Sequence, residues 1–535
     1  MTVRWQRAAA LVALMVVLVA SACTGGGSSG ASSGSSSGRS AASRSGGTLR
    51  LGLERLKSLD PAAASPGSQP ELVVADLLFD GLTTEPADAT AAKPALASSW
   101  NPSPDLRSWT FTLRSGSTFS NGRVITASDV KYSLERVAKQ GQASLGALRL
   151  DTITGWSDLV AGATSEIVGI KVPTATTVEI DLDGPLAALP ELLSSPIYGV
   201  VAKEAVEALS PVFAMAPVGS GPFSYSGTSG DVVSFKRAAG SEAYLDGIEV
   251  HMFDDAAKAF EAFGAGKLDW SPVPQAKVDD AIGRYGAGAF RPFQAEVFFA
   301  FNLLDPAFAD VRLRQAIVKA IDRAAIVKAV YPDIAEPLEG LIPDGVAGHS
   351  ADACGAVCHY DVDAAKQLVA QAFPDGVVPT VHLDYATAPV ADAVAGAIET
   401  ALVAAGIPVD KRPKVAADYD QFATSGQEGL FQFGWVGLYP DADAYLVSLF
   451  TGGSRDNAMG FTQPEVDAQL AAARSSADPA ARVEAFQKAE SMILSAAPIV
   501  PIAQLLTRVV LSPKVNDLKL SIGGTFAANE VWLEP

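Results

Sequence analysis

The chain has 535 residues, 48% of them hydrophobic and 19% charged, with a formal net charge of -19. One hydrophobic core stops growing at roughly 250–300 residues, so at least two lobes are expected. The acidic balance argues against nucleic acid or an anionic membrane surface as partner and for a soluble, self-repelling surface.

The first 23 residues read as a leader. Arg4 and Arg7 precede an unbroken apolar run over residues 8–20, too short for the about 20 residues that a bilayer span needs. Val19-Ala20-Ser21-Ala22-Cys23 resembles a bacterial lipobox, which implies that Cys23 becomes the lipid-modified first residue. An ordinary signal peptide with an incidental cysteine is the alternative. Residues 24–46 are almost entirely Gly, Ser and Ala. Such a tract buries no apolar surface, so a disordered tether is expected, with a reach of roughly 25–30 Å.

The fold begins at Gly47. Residues 48–53 alternate as a strand and 71–80 read as a helix. Trp109, Phe111 and Leu113 alternate with Thr110, Thr112 and Arg114, the period of a half-buried strand. Asn121-Gly122 marks a turn. Thr126 and Asp129 have capping-box spacing ahead of a helical stripe of Val130, Leu134 and Val137. Two β-rich runs follow, at 167–172 and 177–182. The glycine-rich turn 217–223 is followed by no Gly-Lys-Ser/Thr, so it is not a phosphate loop.

Further on, Asp310 is placed to cap a helix with Leu313, Ile317, Ala320, Ile321 and Ala324 on one face. Arg312, Arg314 and Lys319 lie off that face and are expected in solvent. Cys354 and Cys358 are expected to pair if the chain is exported; free thiols, or a metal site with His349 or His359, are the alternatives. Residues 360–366 open a helix, 380–384 read as a strand, 391–404 as a helix and 431–436 as a strand. This alternation predicts a largely parallel sheet.

Catalytic patterns are missing from the sequence. There are four histidines, no His-Glu-x-x-His and no serine elbow between a strand and a helix. His251 and His382 sit in strand-like runs and are expected to be structural. A binding function is what remains, and residues 434–445 (GWVGLYPDADAY) are its most informative stretch. There a tryptophan ends an apolar strand, able to offer a flat apolar face and one N–H donor.

Several of these stretches resemble the family 5 extracellular solute-binding proteins, the peptide- and nickel-type binding subunits of ABC importers. The match runs almost position for position over 109–136 and 299–323, and continues in Leu59-Asp60-Pro61, 217–223, 264–269, 360–366 and 497–501. The resemblance implies an α/β, two-lobe periplasmic-binding-protein type II fold with an extra subdomain inserted in lobe one. Lobe one is expected at 47–84, 212–294 and 500–535, the insertion at 85–211 and lobe two at 295–499. It also implies a monomer without cofactor or metal, lipid-anchored outside the cytoplasmic membrane, passing a peptide or other solute to the transmembrane subunits of an ABC permease. A sensor without a permease, or a secreted hydrolase on a similar frame, are the rival readings.

By the same resemblance the ligand is met by Ser68 and Gln69, by Trp270 and Val273, and by Gly434, Trp435, Val436, Leu438, Tyr439 and Asp441. Peptide-binding members hold the ligand's free amine with an acid three places after the tryptophan, and here that place is Leu438. An amine facing leucine in a dry cleft forfeits a charge-assisted bond worth about 1.5–3 kcal/mol. Asp441 and Asp443 are the nearby substitutes. Blocked or cyclic peptides, sugars and other organic solutes fit the departure better than a free amino terminus held there.

Overall fold

The structure, a computed structural model, describes residues 46–141, 144–210, 212–286, 291–425 and 429–534. The leader, Cys23 and the Gly/Ser tract to residue 45 lie outside the described residues. Among the described residues no helix is long and apolar enough to cross a membrane.

In chain order, β1 (Thr48–Glu54) opens a first sheet and α1 (Gln69–Leu78) follows it. β2 (Ala97–Pro102), β3 (Ser108–Leu113), α2 (Ala127–Ala138), α3 (Leu145–Arg149), β4 (Ile170–Thr174) and β5 (Thr177–Asp181) then build a separate unit. Its four strands form an antiparallel sheet in the order β2-β3-β5-β4. β6 (Phe223–Ser229), β7 (Val232–Arg237), β8 (Gly247–Phe253) and β9 (Trp270–Pro272) return to the first sheet. The second sheet takes β10 (Arg291–Phe301), α4 (Val311–Ala320), β11 (Ala335–Pro337), α5 (Val362–Ala372), β12 (Val381–Ala386), α6 (Pro389–Ala404), β13 (Val409–Lys414), β14 (Leu430–Val436), α7 (Pro464–Arg474), α8 (Pro479–Ala496) and β15 (Ile499–Thr507) with their loops. β16 (Val509–Leu511) rejoins the first sheet. The orders are β16-β9-β1-β8-β7-β6 and β11-β15-β10-β14-β12-β13.

Local pattern accounts for many of these elements. In β3 Trp109, Phe111 and Leu113 are buried while Thr112 faces out. The Thr126–Asp129 capping box forms, and Val130, Leu134 and Val137 of α2 are buried beneath it. Asp310 accepts from the Arg312 N–H and caps α4, with Leu313 and Ile317 wholly buried. The turn at 217–223 is shaped by packing. A Cβ on Gly221 would lie 2.7 Å from both the Leu78 carbonyl carbon and the Phe79 nitrogen, so only glycine lets this loop close on the end of α1.

Three expectations are corrected. Of the second sheet's pairings, β12 with β13 and with β14 are parallel, but β10 with β14, β10 with β15, and β11 with β15 are antiparallel. The sheet is mixed because the chain enters the lobe on β10 and leaves it on the adjacent β15, which must run the opposite way. β15 pairs with β10 over most of its length, and beyond Arg508 the chain continues as β16 of the first sheet. Arg314 is 9% exposed rather than solvated, and donates to the carbonyls of Phe308 and Ala496. Burial lowers its pKa, as expected of a desolvated cation. Ala324 is exposed because α4 ends at Ala320 and a new helix begins at Arg323.

Candidate functional site

β14 is buried along its length as far as Trp435, and its register sets Trp435 opposite Glu296 and Gly434 opposite Val297 of β10. Beyond it the chain turns at Gly437, where a Cβ would lie 2.6 Å from Cζ of Tyr445. The absence of a side chain there lets the Tyr445 ring cover the strand end, its hydroxyl donating to the Gln294 carbonyl at 3.1 Å. The 434–445 stretch therefore brings Gly434, Trp435, Val436, Leu438, Tyr439 and Asp441 together at one edge of lobe two, facing the inserted unit of lobe one.

Charges in this loop are matched. Asp441, 1% exposed, pairs with Arg482 of α8. Asp443 accepts from the Tyr439 hydroxyl at 2.6 Å and pairs with Arg474 of α7 at 2.8 Å. The Asp443 carboxylate is the main cause of the raised Arg474 pKa, and burial lowers that of Arg482. Leu438 is 7% exposed. Asp441 and Asp443, the substitutes considered for a ligand amine, are thus both committed to arginines.

Trp435 differs from expectation in one respect. Its Nε1–H donates to the Ala444 carbonyl at 2.8 Å, so the donor is used within the loop. Its ring lies 5.1 Å from the Arg149 guanidinium, a cation–π contact from the other lobe. Arg149, at the end of α3, also pairs with Asp456 at 2.6 Å. Next to it Arg455 pairs with Asp151 and donates to the Leu148 carbonyl at 3.2 Å. These two crossed ion pairs join the lobes. They went unread in the sequence because the partners lie 307 and 304 positions apart, and no local pattern marks them.

On lobe one, the Ser68 hydroxyl bonds to the Ser65 backbone, and Gln69 donates to the Gly524 carbonyl at 3.1 Å. Gln69 and Asp76 lie seven residues apart on one face of α1, and Asp80 follows just beyond its end. Glu85 accepts from the Gly523 N–H at 3.1 Å, and the Gln294 N–H reaches across to the Ile522 carbonyl at 3.2 Å. The 521–525 loop thereby ties α1 to the start of β10. Trp270 of β9 and Val273 just after it are 1% and 3% exposed. Trp270 lies between β1 and β16.

Cys354 and Cys358 are joined as a disulfide. Among the described residues no group of three or more His, Cys, Asp or Glu is arranged to hold a metal ion. His251 and His382 each bond a carboxylate, of Glu249 and Asp410, at 3.1 Å.

The family model of the bacterial extracellular solute-binding proteins, family 5, matches residues 91–457. The dipeptide-binding protein DppE of Bacillus subtilis is 26% identical over 450 residues, covering 79% of this chain and 81% of DppE. The probable deoxycholate-binding protein YgiS of Escherichia coli is 26% identical over 485 residues, covering 87% and 88%. The unliganded open form of the Escherichia coli murein tripeptide binding protein MppA superposes with a TM-score of 0.80 at 23% identity, covering 92% of this chain and 97% of MppA. That likeness gives the fold: two lobes of the periplasmic-binding-protein type II class.

Proposed function

The chain belongs to the family 5 bacterial extracellular solute-binding proteins, and from that premise we propose that it captures a peptide or other small organic solute between its lobes. The observation that carries this reading is the contact between the lobes. Arg149 of lobe one caps the ring of Trp435 and pairs with Asp456, so the edge of lobe two is covered when the lobes meet. Hinge closure of this kind sequesters a solute, and the closed form is then what a permease reads.

The relatives' names support a broad ligand range, from dipeptides to a bile acid. Leu438, with Asp441 and Asp443 both held by arginines, argues that this chain does not hold a free amino terminus at that edge. Delivery to an ABC permease, action as a monomer and anchoring through a lipid on Cys23 belong to the same proposal, and so do the contacts of the 434–441 stretch with the solute. The family is made up of solute-binding proteins rather than enzymes.

Native mass spectrometry of the protein purified from its own host tests the reading. The expected result is a small organic solute that stays with the folded chain and leaves on unfolding. A chain that retains no solute, and whose unfolding midpoint no peptide or metabolite pool raises, contradicts it.

A further inference from the structure

Half-buried and buried acceptors face one another between the lobes, and two of them, on Gln294 and Glu296, have no partner. On lobe one Asp76, Asp80 and Glu85 are half-buried, and of the three Glu85 accepts from the Gly523 N–H. Among the described residues no lysine or arginine lies within ion-pair distance of any of them; the cation that acts on Asp80 is the exposed Arg114. On lobe two Gln294 and Glu296 are 4% and 3% exposed, and each keeps an Oε1 with no hydrogen-bond partner. The two sets meet. A Cβ built on Gly523 would be 3.0 Å from Glu85 Oε2 and 3.5 Å from Gln294 Nε2. Tyr445 feels both Glu296 and Glu85.

A buried acceptor left unpaired costs about 1–3 kcal/mol, and several together call for a group rich in donors. A primary ammonium has three N–H donors and no acceptor. A metal ion is the poorer occupant, because no three of these carboxylates converge as ligands. Resting on the reading of the cleft as a solute site, we infer that the solute's primary amine is held at the lobe-one wall by Asp76, Asp80 and Glu85, with Gln294 and Glu296 closing over it from lobe two. The cleft then takes amine-bearing solutes although position 438 is leucine. The charge has moved from one wall to the other.

The titration behaviour agrees. Burial lifts Asp76 to about 8 and Asp80 to about 7, and Glu85 upward, with Asp80 and Glu85 adding to the rise at Asp76. Burial also raises Glu296, with Glu490 beside it adding to the rise, and lifts Glu490 to about 7. Arg114 is the cation that opposes the rise at Asp80. Below those values the carboxyls are neutral and attract a cation weakly, so amine binding strengthens as pH rises through 7 and 8.

The test compares the unfolding midpoint in methylammonium chloride with that in tetramethylammonium chloride at matched ionic strength. Both carry one positive charge, but only the first has N–H donors. The expected result is a higher midpoint in methylammonium, growing between pH 6 and pH 8, lost in Glu85→Gln/Asp76→Asn and kept in the surface control Asp88→Asn. The single variant Glu85→Gln serves if the double variant does not fold. Equal midpoints in the two salts, or a methylammonium effect that survives the substitutions, overturn the inference. A retained solute with no amine also overturns it while leaving the solute-binding reading intact; a chain that retains no solute fails that reading instead.

Discussion

Arg482→Met is expected to destabilise lobe two by about 3–5 kcal/mol, because it strands a charged carboxylate in the interior. Asp441 is 1% exposed, and Arg482 is the cation that neutralises it. Asp441 also accepts from the Asp443 N–H at 3.0 Å, so the loop leading to Tyr445 is built on this carboxylate. Removing the guanidinium leaves the acid to bind a proton or admit water, and either disorders the loop. Replacing both partners, as Arg482→Met with Asp441→Leu, removes the stranded charge and restores most of the loss, since a buried ion pair gains little over apolar groups of similar volume. Denaturant unfolding of the three proteins reads this directly. A loss below about 1 kcal/mol in Arg482→Met, the range of an exposed pair, means that Asp441 is solvated. It would then be free to meet a ligand amine after all.

The residues legible in the sequence are those whose partners lie close along the chain. The alternation of β3, the capping box of α2 and the Asp310 cap of α4 each occupy a few consecutive residues, and each is formed. The strand ending near Trp435 was legible too, from the apolar run over 431–436. What the sequence hid was pairing at a distance. Arg314 has helical spacing that puts it off the apolar stripe, yet carbonyls at 496 and 497 come from the far end of lobe two to meet it. The direction of β10 relative to β14 depends on how the chain enters and leaves the lobe, which no local period encodes. The Trp435 N–H was open to solvent or ligand in the sequence and is used by the Ala444 carbonyl in the fold. At the α1 wall Asp76 and Asp80 carried no local signal in the sequence. Their meaning depended on knowing which groups lie opposite.

Arg149→Ala is expected to weaken solute binding about 10- to 100-fold while leaving each lobe folded. The reasoning turns on which state contains the contact. With the lobes together, Asp456 is 2% exposed, and Arg149 both pairs with it and covers the Trp435 ring. With the lobes apart, both charges return to water, where neither needs the other. The pair therefore contributes to the closing equilibrium and almost nothing to the stability of either lobe. A solute that requires closure binds with an apparent affinity reduced by the fraction of closed protein, so each about 1.4 kcal/mol removed from closure weakens binding tenfold. Calorimetry with the retained solute gives the affinity, and small-angle scattering gives the compaction on loading. The charge-reversed pair Arg149→Asp with Asp456→Arg recovers part of the loss through the restored ion pair, and the remainder measures what the guanidinium gains from the Trp435 ring. Unchanged affinity together with unchanged compaction would place the contact in both states, making Arg149 a strut between the lobes and moving the closing force to the solute itself.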